Sequence, residues 1–296
     1  MTIEPIAKDL YLIIGANGGR FPWSHSILAV GDSVVLFDTG CGSEAIEEVK
    51  KSFSIDLIVN SHTHPDHFSG NHLFSGCELS VPSLFAGVLC DLEKMSMRLA
   101  GGGDAAREWM LLVRETLGHE PVAPTATYDD GDLIDVGRAK FRAIHTPGHL
   151  ADHFCFFEES SGILLSFDID LTPFGPWYGH SECDLDDFCE SLHKILELKP
   201  CMVVSSHRYP VTQDIAGEIA SFASVFVRRN QEILRMLDGR AFKPEEMAIL
   251  SPIYGLKNND SALFYYFESR MIEKHLELLA RRGSALREAD GSYSRA

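Results

Sequence analysis

At 296 residues with 45% hydrophobic content, the chain has material for a sizeable buried core, and its length allows one large domain or about two. A formal charge of −17 disfavours nucleic acid as a general partner, because such binding draws most of its free energy from basic residues that displace counterions. The opening MTIEPIAKDLYLII has no basic flank, apolar run and cleavage-site pattern, and no stretch sustains about 18 apolar residues, so we expect no export signal, no membrane span and a cytoplasmic location.

The first half alternates short apolar runs with turns: residues 10–14, 26–30 and 34–37, the last two joined by Gly31-Asp32 as a hairpin. A polar helical stretch at 43–52 and a β-branched run at 57–59 follow, which reads as strand, helix, strand. Residues 82–118 change period to helical spacing, broken by Gly101-Gly102-Gly103, so a helical insertion is expected over about 82–124. Strand signals return at 133–136, 141–145, 154–157 and 163–167, then a helix at 185–198, a strand at 202–205 and a long helix at 215–237. Two strand-rich halves closed by helices fit a two-sheet sandwich with helices outside. We place a catalytic domain at 1–238 and a small helical module at 239–296, the latter with a helix at 262–280 and a turn at Asp290-Gly291. The seven cysteines, an odd count without a CxxC pair, read as reduced and mostly buried thiols.

The densest chemistry lies in Val59-Asn60-Ser61-His62-Thr63-His64-Pro65-Asp66-His67, directly after an apolar run. His62 and His64, two apart, can aim both imidazoles to one side of an extended turn, and Pro65 is expected to prevent a regular helix around Asp66 and His67. Imidazole and carboxylate ligands at about 2.0–2.2 Å suit zinc, and also iron or manganese. Further candidates stand at the ends of β runs: His149 after 141–144, Asp168 after 163–165 and His207 after 202–204. Strand ends of one sandwich can meet on one edge, where a site open to substrate is easiest to build.

This ordered set resembles the metallo-β-lactamase superfamily over roughly residues 10–210. Its motifs match Leu36-Phe37-Asp38-Thr39-Gly40, the HxHxDH run at His62, His64, Asp66 and His67, then His149, Asp168 and His207. The resemblance implies the α/β fold class of an αββα sandwich. It implies His62, His64 and His149 on one metal, Asp66, His67 and His207 on the other, Asp168 bridging, and Asp38 orienting ligands from behind. The family's bridging aspartate usually follows glycine, whereas Phe167-Asp168-Ile169-Asp170 leaves Asp170 as a rival; Asp168 is preferred at the strand end, with Asp170 as an outer partner. His145 and His153 fall outside the motifs. The helix at 271–283 and its Asp-Gly turn resemble the end of a winged-helix tail found in some hydrolases of this fold. Arg281, Arg282 and Arg287 stand there among Glu273, Glu277, Glu288 and Asp290, a balance that favours packing or homodimer formation over RNA reading.

The leading reading is a dinuclear hydrolase in which hydroxide held between two divalent metals, zinc foremost, attacks a small ester, thioester, lactone or lactam, with Asp66 or Asp168 accepting its proton. No GxSxG elbow offers a serine route. Residues 172–180 are expected to form a loop over the metals, with Trp177, Tyr178 and His180 as substrate contacts and Asn17-Gly18-Gly19-Arg20 as a further edge. The tail, from about Gly239, is expected to pack beside the cleft or against a second subunit and to narrow substrate access without supplying a metal ligand. Alternatives are a mononuclear iron persulfide dioxygenase-like enzyme, a nucleic-acid-processing phosphodiesterase, and a metal-bound scaffold without turnover.

Overall fold

Strands β1 (Ile3–Ala7), β2 (Leu10–Ile13), β3 (Ser26–Val30), β4 (Val34–Phe37), β5 (Leu57–Val59), β6 (Glu78–Pro82) and β7 (Ala126–Tyr128) form a seven-stranded sheet in chain order. The pairs from β1 to β4 are antiparallel and those from β4 to β7 parallel. A second, five-stranded sheet has the order β12-β11-β10-β9-β8, built from β8 (Leu133–Asp135), β9 (Lys140–His145), β10 (Phe154–Glu158), β11 (Ile163–Phe167) and β12 (Met202–Ser205). This is a computed structural model, and it describes residues 2–256 and 260–296; Met1 and residues 257–259, within the expected catalytic domain and tail module respectively, lie outside the described residues.

The period of two along each strand sorts its residues between layers. Val35 and Phe37 of β4 face Phe141, Phe156 and Leu165 in the core between the sheets, while Leu36 turns outward to a second core. Leu164 of β11 likewise turns away from Ile163 and Leu165 to a third. Both faces of these strands are therefore covered, which is why they read as continuous apolar runs. The outer layer on the first sheet contains α2 (Ser43–Ser52), α4 (Leu92–Ala100) and α5 (Gly103–Leu111); the outer layer on the second contains α6 (Leu185–Glu197) and α7 (Ile215–Met236). The result is an αββα sandwich.

Two short helical turns, α1 (Ala16–Gly19) and α3 (Pro65–Phe68), edge the site, and α8 (Pro244–Ala248), α9 (Ala262–Arg281) and a hairpin of β13 (Ala285–Arg287) with β14 (Tyr293–Arg295) make the tail. The tail shares cores with the rest of the chain: Leu263 and Phe267 of α9 belong to the core over the first sheet, Met271 and Leu278 to the one over the second. The expected boundary near 239 is thus not a break in packing. The cysteines are all free, but Cys90, Cys189 and Cys201 are exposed, so the expectation of mostly buried thiols is corrected to three buried, at Cys41, Cys155 and Cys183, and one half-buried, at Cys77. No helix among the described residues is long and apolar enough to cross a membrane.

Candidate metal centre

The strand directions explain why the candidate ligands meet. β4 and β5 run parallel, as do β11 and β12, and β9 shares the direction of β11 because both are antiparallel to β10. The carboxyl ends of these strands lie on one edge, and from them the chain leads to Asp38, His62, His149, Asp168 and His207. Pro65 does not block a helix, as expected from the sequence, but starts one: it takes the first position of the turn α3, where its missing N–H would be unpaired anyway, and the turn swings Asp66 and His67 back to the edge. Gly40 makes room for that turn. A Cβ there would lie 1.4 Å from the carbonyl oxygen of Asp66, so the glycine of the Asp-Thr-Gly run is required by contact with the ligand loop.

Two groups of side chains converge, His62, His64, His149 and Asp168 in one and Asp66, His67, Asp168 and His207 in the other, the ligand atoms of each lying within 4.8 Å of one another. Asp168 belongs to both. Its Oδ2 lies 3.1 Å from His149 Nε2 and 3.7 Å from His62 Nε2, while its Oδ1 lies 3.0 Å from His67 Nε2 and 3.5 Å from His207 Nε2. Asp66 Oδ2 stands 3.6 Å from His207 Nε2. Asp170 joins neither group: its carboxylate accepts from the Thr172 N–H and hydroxyl, and burial pushes it up to about 6.

The donors fit metal ions. His67 Nε2 and Asp168 Oδ1 are buried without a hydrogen-bond partner. His64 Nδ1 faces both His62 Nε2 at 3.0 Å and His149 Nε2 at 2.9 Å, and one proton on it can serve only one of them. A cation in each group would satisfy these atoms, and the nitrogen and oxygen donor set suits zinc, iron or manganese. Burial first, and neighbouring imidazoles second, hold His62 and His64 well below the ordinary histidine pKa, in the neutral form a ligand needs.

Each imidazole is also fixed from behind, which sets its tautomer. His67 Nδ1 donates to Asp38 Oδ2 at 2.7 Å, His149 Nδ1 to the Trp177 carbonyl at 2.9 Å and His207 Nδ1 to the Gly19 carbonyl at 2.6 Å. His62 Nδ1 lies 2.9 Å from Ser61 Oγ, which itself donates to Asp38 Oδ2 at 2.7 Å. Asp38 thus supports His67 directly and His62 through Ser61. It does so at φ 59°, a conformation that costs a non-glycine residue on the order of 1–3 kcal/mol. Asp38→Asn, which keeps the shape but weakens the acceptor, should lower metal affinity about 10–100-fold in competition with a chelator; unchanged affinity would remove Asp38 from the support of the site.

His153, outside the sequence motifs, has a positioning role: its Nε2 accepts from the Asp168 N–H at 3.3 Å, while its Nδ1 lies 3.1 Å from the Thr146 carbonyl. His145 instead donates to the Ala151 carbonyl at 2.7 Å. Of the expected substrate contacts, Trp177 and His180 line the cleft beside the candidate metal ligands and Tyr178 does not. Tyr178 is fully buried on the far side of the loop, its hydroxyl 2.6 Å from His275 Nε2 and 2.9 Å from Arg229 Nη1, so it anchors the loop to α7 and α9. His180 Nε2 meets His64 Nε2 at 2.6 Å, so His180 backs a ligand from within the cleft wall. In the Asn17–Arg20 stretch only Arg20 lines the cleft. The cleft has a volume of about 490 Å³, and the tail contributes Tyr254, Phe264 and Phe267 to its walls, with Trp109 and Leu112 from the insertion. Sequence reasoning missed these five, since four of them have the spacing of any core helix and Tyr254 stands alone in a turn between α8 and α9.

A family model for the metallo-beta-lactamase superfamily matches residues 21–76. An atrochrysone carboxyl ACP thioesterase of Claviceps purpurea (strain 20.1) is 25% identical over 276 residues, covering 88% of this chain and 76% of the relative. A beta-lactamase-like protein 2 homolog of Caenorhabditis elegans is 26% identical over 246 residues, 79% of this chain and 73% of the relative. A metallo-beta-lactamase family protein from Thermus thermophilus has the same fold, with a TM-score of 0.76 at 22% identity over 99% of this chain and 100% of that one. The HxHxDH run thus lies within the segment that matches the metallo-beta-lactamase superfamily, and the chain, which shares that family's fold, gathers it with the later candidate ligands on one edge of an αββα sandwich.

Proposed function

We propose that the chain is a dinuclear metal-dependent hydrolase of small thioesters. The observation that carries this reading is Asp168, whose two oxygens face two complete groups of ligands at the floor of an apolar cleft. His62, His64 and His149 would hold one divalent ion, Asp66, His67 and His207 the other, and Asp168 both. Two such ions supply Lewis acidity and bring the pKa of water towards neutrality.

The chain's own groups do the rest. Asp66 and Asp168 line the cleft and are placed to take the proton of the attacking water. The Trp177 indole and the phenylalanine rings exclude bulk water from the acyl group. Water adds its oxygen to the acyl carbon, the C–S bond breaks, and the sulfur leaves with a proton as a free thiol, so a thioester and water give a carboxylate, a thiol and one proton. The thioester preference is supported by the relative named as an ACP thioesterase. It is further supported by the walls: apart from histidine, Arg20 is the one cationic side chain lining the cleft among the described residues, which suits a phosphodiester backbone poorly.

Metal analysis after reconstitution with zinc, manganese or iron, together with thiol release from acyl thioesters, tests the proposal. Two equivalents per chain and metal-dependent thiol release are expected. A ceiling of one equivalent would sink the dinuclear reading, and turnover confined to phosphodiesters or lactams would sink the thioester.

A further inference from the structure

We propose that the acyl part of the substrate is a flat aromatic group, selected by rings of the 172–177 loop and of α9; this rests on the thioester reading above. The rings make an unbroken line of contacts. Trp177 begins it at the metal ligands, its ring 5.4 Å from that of His64 and 5.6 Å from that of His149. Trp177 meets Phe267 edge to face at 5.1 Å, and Phe267 meets Phe264 at 6.3 Å. Phe264 then meets Tyr254 at 5.8 Å and Phe21 at 6.3 Å, and Tyr254 stacks on Phe174 at 5.6 Å. All six rings line the same cleft, and Phe21, 45% exposed, marks its mouth.

Three of the rings, Trp177, Tyr254 and Phe174, are held by polar groups, and Phe267 is buried against Trp177, so this part of the wall has fixed directions. Trp177 Nε1 donates to the Tyr254 hydroxyl at 2.6 Å. Arg229 donates to the carbonyls of Phe174 and Pro176 and stands 4.7 Å over the Phe174 ring. Glu268 accepts from the N–H groups of Ile253 and Tyr254. A wall fixed in this way favours a rigid planar guest, which gains ring-to-ring geometry and loses little freedom, over a flexible or puckered one of equal carbon count. The volume of about 490 Å³ would leave an acetyl group mostly in water.

The test uses N-acetylcysteamine thioesters of 2-naphthoic acid and of its saturated decahydro counterpart, which share a leaving group and a carbon skeleton. Each kcat/KM is divided by the rate of hydroxide-catalysed hydrolysis, to remove the difference in intrinsic reactivity. The metal-loaded protein should prefer the naphthoyl thioester by about tenfold. Phe267→Leu, and Phe264→Leu as a less buried second variant, should bring the ratio near one while metal content confirms folding. A ratio near one in the unaltered protein, or a preference that survives both substitutions, would overturn the proposal. If no thioester is hydrolysed, the thioester reading fails separately, and quenching of tryptophan fluorescence decides the acyl question. Tighter binding of 2-naphthoate than of decahydro-2-naphthoate, lost in Phe267→Leu, supports the aromatic site, and equal binding refutes it.

Discussion

Asp168→Ala should strip metal from both positions and lower activity by more than the ~10–100-fold that losing an outer partner of a ligand usually costs, whereas Asp170→Ala should retain most metal. The reason is geometric. Asp168 turns one oxygen to His149 and His62 and the other to His67 and His207, so its loss opens both groups at once. It would also leave imidazoles of the two groups facing one another without the carboxylate between them. Asp170 instead closes a local turn on Thr172, whose loss should shift the cleft wall and so raise KM. Metal content and kcat/KM of the two variants, measured side by side, decide the matter, and the opposite ranking would give the bridge to Asp170.

The second large effect is expected at Arg98, in the last turn of α4. Its side chain is 11% exposed and its guanidinium donates to three segments, two of which carry candidate ligands of the first group and the third His180, which backs His64. Nη1 reaches the hydroxyl of Thr63, between His62 and His64; Nη2 reaches Asp152 at 3.0 Å, just after His149; and Nε reaches Glu182 at 2.9 Å, just after His180. Thr63 also donates to Asp152 at 2.6 Å, which closes the network. Arg98→Met would strand the Asp152 carboxylate, which is completely buried, and breaking one side of such a pair costs about 3–5 kcal/mol. We expect a loss of that order in urea unfolding, together with weaker metal binding at the His62, His64 and His149 group. Adding Asp152→Asn should recover part of the stability, because the stranded charge and not the missing methylenes carries most of the cost. An Arg98→Met protein within about 0.5 kcal/mol of the parent would show that the network contributes nothing.

Arg98 was invisible in the sequence for a physical reason. One arginine on an amphipathic helix reads as solvated, and nothing nearby in the chain names its partners, which lie 35, 54 and 84 positions away. Tyr178 shows the converse error. An aromatic residue beside Trp177 was expected to share its face, but the chain alternates there, and Arg229 and His275 draw the hydroxyl into the protein. Strands β6 and β7 were also missed: Glu78–Pro82 is short, begins with a charge and ends in proline, and Ala126–Tyr128 has only three residues, so their pairing depends on neighbours already in place.

By itself the sequence determined the sandwich and the set of candidate ligands, because both are written in local terms: apolar runs of strand length, several of them followed closely by a histidine or aspartate, in an order that a parallel arrangement of strands brings to one edge. Only the tertiary structure decided which aspartate faces both groups of candidate ligands, which rings wall the cleft, and which residues of the tail belong to that wall. Those outcomes depend on directions of side chains held by distant partners: Arg229 of α7 on the 174–178 loop, Glu268 of α9 on Tyr254, and Glu108 of the insertion on the amino end of α9. A buried hydrogen bond between residues far apart in the chain leaves no period and no spacing to read. It exists only once the cores have brought its two ends together.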